Sequence, residues 1–242
     1  MTRLAPRFTL ALPLGALLFA AHPAWAAPPS PALMEKLATY GATFDQVRTR
    51  ASYSISGRLD LLDGDGKVDS WQELLAHVDP NGGTPKVTVL RYLEDGKDKT
   101  ADGIEKARVS DEKRKQKRKE GKELKMPVLP GEQGRYVFDQ AEQSADGERV
   151  RITFVPKEPA EDTVEGSAWV DVEAGTVISA SFKVSRTPMF VKYVHVWVEF
   201  GERTPLGPTV SKITLEGEGG ILFFFHKHFR GTANLSGYSL AP

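Results

Sequence analysis

Three histidines, four aspartates and one run of aromatic residues are the side chains from which a chemistry could be built. His226-Lys227-His228 puts two imidazoles on one face of an extended segment, a spacing that some zinc sites use, and His195 in another such segment is a candidate third ligand. A hydrolytic zinc centre also needs an open coordination position and a general base, and the sequence marks neither. Asp60, Asp63, Asp65 and Asp69 crowd around the tetrapeptide Asp63-Gly64-Asp65-Gly66. A calcium loop of the EF-hand kind needs acids at its first, third and fifth positions and glycine at its sixth. With Gly66 as the sixth, Leu61 falls at the first, so the register fails and a tight turn accounts for the cluster. There is no G-x-S-x-G elbow, and Gly217-Glu218-Gly219-Gly220 precedes a strand pattern, so it builds no phosphate cradle. The absence of cysteine removes thiol nucleophiles and thiolate metal sites. Carboxylate pairs occur only in turns and in one charged segment, where they make no acid–base pair. The residues therefore predict a protein that is not an enzyme and carries neither metal nor cofactor.

The aromatic run leads to the elements that must hold it. From Val164 to Tyr238 the chain reads as successive strands rich in Val, Ile, Phe, Trp, Tyr and Thr, separated by Gly, Pro or acidic-Gly turns, as in an antiparallel meander. Alternation separates the two faces of a strand. In Thr176 to Arg186, Ile178, Ala180, Phe182 and Val184 oppose Ser179, Ser181, Lys183 and Ser185, a half-buried pattern. Two segments differ. Phe190 to Phe200 holds Val194, Val196 and Val198 on one face and Tyr193, His195 and Trp197 on the other. Ile221 to Arg230, read as one strand, is apolar on both faces through Ile221, Phe223, Phe225 and Phe229 against Leu222 and Phe224. Strands apolar on both faces sit centrally and need two covers. One cover is a helix; the other is a second protein layer or a bound apolar molecule.

The rest of the chain supplies the helix. Pro31 to Arg50 carries an apolar stripe through Leu33, Leu37, Tyr40, Phe44 and Val47, with Ser30 as N-cap and Gly41 as a weak point. Strands are predicted at Tyr53 to Leu62, Val68 to Val78 and Lys86 to Leu93, the last with Val87, Val89 and the Arg91 stem on one side. Further strands follow at Arg135 to Ala141 and Arg149 to Val155. Between them, Lys97 to Lys125 is almost wholly charged; from Glu105 to Lys125 ten basic residues face five acidic ones. Such a segment buries no face. It reads either as a solvated helix laced with ion pairs or as a contact for an anionic membrane surface or acidic partner. Met126 to Pro130 is a short apolar loop that packs on a sheet face or acts as a flap.

Residues 1–26 read as a cleaved leader, with Arg3 and Arg7 ahead of an apolar stretch and Ala24-Trp25-Ala26 at the cleavage site. The expected destination is the periplasm, with secretion as second choice. Formal net charge is zero over the whole chain, which argues against nucleic acid as a partner.

Tyr92 to Lys97 (YLEDGK) ahead of the insertion, Tyr136-Val137-Phe138, Val150 to Pro156 and Ala168-Trp169-Val170-Asp171-Val172 before an acidic-Gly turn give a chain that resembles the LolA/LolB-like superfamily of periplasmic lipoprotein carriers. The resemblance implies a half-closed barrel whose helices lid an apolar cavity for acyl chains, and no catalysis. The carriers bear an arginine in an Arg-Pro stretch after the first hairpin; here Asp79 to Lys86 (DPNGGTPK) has none, which puts lipoprotein shuttling itself in doubt.

The expectation is therefore a mainly β (α+β) fold. After the leader, 27–242 forms one domain: a curved antiparallel sheet of 10 or 11 strands in a half-barrel, with an N-terminal helix and a charged helical insertion at 97–125. The predicted partner is a lipid or acylated lipoprotein bound by a monomer, with Phe154, Phe182, Trp197, Phe223 and Phe225 lining the cavity. The rival readings are an envelope interaction module with a filled core and a zinc hydrolase using His195, His226 and His228.

Overall fold

The computed structural model describes residues 27–80, 85–121, 124–187, 191–221 and 225–240, and of residues 117, 118, 220, 221 and 225–227 the backbone alone. The leader expected at 1–26 lies outside the described residues. Among them, no helix is long and apolar enough to cross a membrane.

The first element is α1, Pro31–Arg50. It starts where the sequence says: the Leu33 amide donates to Ser30 Oγ at 3.2 Å, and a proline fills the first turn. Strands β1 (Ala51–Leu62), β2 (Val68–Asp79), β3 (Lys86–Glu94) and the two-residue β4 (Lys97–Asp98) follow. Helix α2, Thr100–Lys119, is the charged insertion. After a loop come β5 (Tyr136–Gln143), β6 (Arg149–Pro156), β7 (Val164–Asp171), β8 (Val177–Val184) and β9 (Val191–Glu199). A small hairpin of β10 (Glu202–Thr204) and β11 (Gly207–Thr209) precedes the long strands β12 (Lys212–Ile221) and β13 (Phe225–Leu240).

Eleven of these strands form one antiparallel sheet, in the order β4-β3-β2-β1-β13-β12-β9-β8-β7-β6-β5, and it is not closed into a barrel. The last strand returns to pair with the first, Leu235 opposite Ile55 and Gly231 opposite Leu59, and so joins the N-terminal hairpins to the C-terminal meander. The two-sided strand β9 lies in the interior of the sheet, as its pattern requires, although Tyr193 on its outward face is 36% exposed and not under a second cover.

Two strand readings are corrected. Ile221 to Arg230 is not one strand: Ile221 pairs with Phe225 across a hairpin, so the chain reverses inside the aromatic run. The glycines at 219 and 220 are themselves in β12, and β13 absorbs what reads as a separate last strand. The face of Arg91 also changes. Ala76 pairs with Val89 but Leu75 pairs with Arg91, a bulge that leaves Leu90 over and 54% exposed. Beyond the bulge, Tyr92 joins the face of Val87 and Val89, and Arg91 turns to the other.

That bulge seats α2. Tyr92 Oη donates to Glu94 at 2.7 Å and accepts from Lys106 Nζ at 2.8 Å. The helix comes close because residue 103 is glycine: a Cβ there would lie 2.5 Å from Tyr92 Cβ and 2.8 Å from its Cγ. Gly103→Ala gains about 1 kcal/mol of helix propensity but overpacks a fixed ring at a cost of roughly 1–3 kcal/mol. The expected outcome is faster amide hydrogen exchange across α2 with exchange in β1 and β13 unchanged; equal or better protection of α2 contradicts this packing.

Candidate functional site

The inward face is built by register. One row runs across β6, β7, β8, β9 and β12 as Ile152, Ala168, Ala180, Val198 and Ile213. The next row runs Phe138, Phe154, Gly166 and Phe182 from β5 to β8. Gly166 is required here: a Cβ would lie 2.8 Å from Phe182 Cβ and 2.7 Å from its Cα. The aromatic rings of β6 and β8 thus flank a glycine, and two alanines sit side by side in the row beneath. Small residues in the middle of a large-residue face leave a hollow.

Helix α1 closes that hollow from above. Leu37, wholly buried, packs in the same cluster as Tyr40, Val150, Ile152, Val170 and Val177. Phe44 and Phe200 meet edge to face with ring centres 5.7 Å apart. Tyr40 Oη donates to the Pro208 carbonyl at 3.2 Å, which fixes the helix to the small hairpin, and Lys36 Nζ donates to the Glu173 carbonyl at 2.7 Å. Burial pushes the Tyr40 phenol above its ordinary value, so it stays neutral.

The second part of the lid is the loop from Leu124 to Val128. Met126, Pro127 and Val128 lie against the hollow, and Leu124, 48% exposed, stands at its mouth. Gly41 of α1 is where loop and helix touch: a Cβ there would sit 3.4 Å from Val128 Cγ2 and 3.5 Å from Leu129 Cδ2. The glycine that weakens the helix is thus the one that lets the loop approach. Gln133 Nε2 donates to the carbonyls of Val128 at 2.9 Å and Met34 at 3.2 Å.

A charge cluster latches the loop. Glu132, 7% exposed, accepts from Lys125 Nζ at 2.9 Å and Arg135 Nη1 at 2.8 Å, and Arg135 also reaches Asp162 at 2.9 Å. Burial pushes the Glu132 carboxyl up, but the hydrogen bonds from Lys125 and Arg135 outweigh it and hold it below the usual carboxylate range. The hydrogen bond from Arg135 does the same for Asp162.

What remains between sheet, α1 and loop is a cavity of about 240 Å³. Among the described residues, Lys125 is the one charged residue in its lining, and its ammonium is held by Glu132; the other described lining residues are apolar. A cavity of roughly 150 Å³ lined by Leu, Ile and Phe stays dry and takes a benzene ring. This one is larger and equally apolar, so water gains no partners in it and a hydrocarbon does.

Of the residues predicted to line a cavity, Phe154 and Phe182 do so. Trp197 does not. It pairs with Ser181 and Thr214 on the outward face and stacks on His195 with ring centres 4.1 Å apart. Alternation places Trp197 opposite Val198 but leaves open which of them faces inward; the helix side decides. Phe223 lies outside the described residues, and Phe225 is described by its backbone alone. The lining sites that sequence reasoning passes over are the alanines 168 and 180, whose signal is small size within a large-residue pattern.

The zinc reading gains no support among the described residues, which contain no cluster of three metal-binding side chains. His195 Nε2 is 2.8 Å from Ser181 Oγ, and His228 pairs across strands with Glu218 and Leu62. His226 is described by its backbone alone. The turn reading of the aspartates holds: Asp63 Oδ1 accepts from the amides of Asp65 at 3.0 Å and Lys67 at 2.8 Å.

No protein-family model matches the chain, and no curated protein matches it significantly. Solved structures similar to it include a DUF1329 family protein from Desulfovibrio piger, 13% identical over 88% of this chain and 94% of that one, with a TM-score of 0.42. A LolA superfamily protein from Nitrosomonas europaea is 9% identical over 84% of this chain and 93% of that one, with a TM-score of 0.33. The MucA/MucB complex of Pseudomonas aeruginosa contributes a chain 8% identical over 83% of this chain and 94% of its own, with a TM-score of 0.21.

The latch predicts an acid sensitivity. Both carboxyls have folded pKa values below their ordinary ones, so the stability they supply is complete above about pH 4.3 and drains away as pH falls through the lowered values. Glu132→Gln is expected to lower stability at neutral pH by roughly 1–3 kcal/mol and to flatten the acid limb of the stability curve. Thermal unfolding of both proteins between pH 2 and 7 checks this; parallel curves contradict the latch.

Proposed function

We propose that this protein is a non-enzymatic binding or carrier protein that holds the acyl chain of a lipid or lipoprotein between α1, the 124–128 loop and the sheet. The observation that carries the reading is the apolar cavity of about 240 Å³ beneath a two-part lid. A protein interior is normally filled to crystal-like density, and voids cost stability. Here Ala168 and Ala180 leave space that a larger side chain in either strand would occupy. A ligand that fills it gains about 0.8 kcal/mol per buried methylene. The sequence resemblance to lipoprotein carriers implies the same kind of occupant. Export by the leader at 1–26 would place the protein in the periplasm, where acylated cargo must be shielded from water.

The charged insertion adds a surface for this role. Helix α2 contacts β3 through its N-terminal half, and its exposed Lys113 and Lys119 lie on the stretch that leads toward Leu124 at the cavity mouth. A basic stretch near the mouth attracts an anionic membrane surface, from which an acyl chain would be taken or to which it would be delivered.

Ala180→Phe tests the carrier reading by filling the hollow from within. Delipidated wild-type protein is expected to bind a fluorescent fatty acid. The variant should bind it at least tenfold more weakly, with a melting temperature equal or higher. Failure of the wild type to take up the probe, or equal uptake by the variant, contradicts the reading. For the surface, Lys113→Glu with Lys119→Glu is expected to cut cosedimentation with phosphatidylglycerol vesicles at least tenfold, from roughly 1 kcal/mol per lysine. Wild-type binding should fall steeply with added salt.

A further inference from the structure

The inward face does not end at the cavity. The row that contains Phe182 continues as Val196 on β9, Leu215 on β12, Gly231 on β13 and Leu59 on β1. The row beyond it runs Val194, Gly217, Phe229 and Leu61. Val194, Val196, Leu215, Phe229, Leu59 and Leu61 are all half-buried. Two glycines let these side chains lie flat along the sheet. A Cβ at Gly231 would sit 3.2 Å from Leu59 Cδ1 and 3.3 Å from Leu215 Cδ1, and one at Gly217 would collide with the Phe229 ring.

Neither helix is placed to cover this strip. Helix α1 lies over β6 to β8 and against β11 and β1, and α2 lies chiefly on β3; neither makes extensive backbone contact with β9, β12 or β13. Among the described residues, the packed clusters extend to Val196 and Ile213 and include none of Val194, Leu215, Phe229, Leu59 or Leu61. The strip is continuous with the cavity, because Phe182 and Ile213 line the one and border the other.

The cavity by itself is too small for a long chain. If roughly 150 Å³ accommodates the six carbons of benzene, about 240 Å³ accommodates on the order of ten. The strip supplies the rest. From Ile213 to Gly217 a strand advances roughly 13 Å at about 3.3 Å per residue. That is room for up to ten or so more carbons, each adding roughly 1.3 Å given bonds of about 1.5 Å, so a chain of about sixteen to eighteen fits with a little length to spare.

We propose that the ligand is a long acyl chain, of about sixteen to eighteen carbons, whose terminal portion fills the cavity while the remainder lies along the strip toward the β12–β13 hairpin. This rests on the carrier reading and gives it a chain length and a direction. No polar group lines the strip's floor, so it selects by length and not by headgroup.

The test is a length series of saturated fatty acids from eight to eighteen carbons, displacing a fluorescent probe from the delipidated full chain. For the wild type, affinity is expected to keep rising past ten carbons, by about twofold or more per added methylene, and to level off near sixteen to eighteen. Leu215→Gln with Val194→Thr puts polar groups on the strip and leaves the cavity lining intact. It is expected to bind the ten-carbon acid as the wild type does and to lose at least tenfold for the sixteen-carbon acid. Leu59→Gln with Leu61→Gln, on a different strand, should reproduce the loss if the first pair disturbs folding. A wild-type plateau at ten carbons, or strip variants with an unaltered length dependence, overturns the proposal and leaves the carrier reading standing. If no acid of any length binds, the carrier reading falls and takes this proposal with it.

Discussion

The pairing of β1 with β13 is the contact on which the rest of the structure depends. It joins two hairpins at the start of the chain to a meander at its end, with Ala51 opposite Leu240 and Leu62 opposite His228. Without it, β1 and β13 would both be sheet edges, with unpaired amides and carbonyls along ten or more residues. With it, the edges of this sheet among the described residues are β5 on one side and, on the other, β3, whose last two residues pair with the short β4; β5 is partly capped where the Gln140 amide donates to the Ala27 carbonyl at 2.7 Å. The pairing is held on its inner face as well: Tyr53 and Tyr238 stack with ring centres 4.9 Å apart, and Leu235 is buried beside Ile55 and Ala233. The cost is kinetic. Ends this far apart in sequence must meet before the contact stabilises anything, which makes folding slow relative to local hairpins.

Once the sheet is joined, its two faces take different tasks. Outward, the row His195, Glu216, Arg230, Asp60, Trp71 is polar and cross-linked, with Arg230 and Arg58 both donating to Asp60 and Arg58 resting 4.6 Å over the Trp71 ring. These are surface pairs, each worth little, and they suit water. Inward, the rows are apolar and need a cover. Helix α1 is 20 residues long and spans only part of the sheet. The 124–128 loop completes the lid over β5 to β8, but the charged α2 has little apolar to contribute: Ala101, Ala107, Val109 and Ile104, the last 54% exposed. Among the described residues the cover is smaller than the face beneath it, and the hollow is a consequence.

The lid is held by means that differ from those of the sheet. Loop and helix touch at Gly41 and Val128 and are tied through Gln133, while charge fixes the far end at Glu132, Arg135 and Asp162. Backbone ladders resist opening; a few side-chain contacts do so far less. A lid built of the second kind over a sheet built of the first can yield without disturbing the fold.

Much of this was legible in the chain. Ser30 and Pro31 mark the start of α1, the alternation from Thr176 to Arg186 gives the inward face of β8, and the charge of Lys97 to Lys125 sets the insertion apart, because caps, strand period and composition are local properties. Phe154 and Phe182 followed from the same period. Trp197 did not, since a strand apolar on both faces carries no mark of which face is inward until α1 is placed. The reversal between Ile221 and Phe225 was hidden for a related reason: the glycines before it sit in a strand, and the sequence Leu222-Phe223-Phe224 offers no turn residue. Local chemistry thus determined the helices, most of the strands and the excess of apolar surface. Only tertiary structure decided that Ala168 and Ala180 meet side by side, that Gly41 receives the loop and that the lid falls short of the sheet. Each of these depends on register between strands or on the reach of one element over another, distances that no single segment encodes.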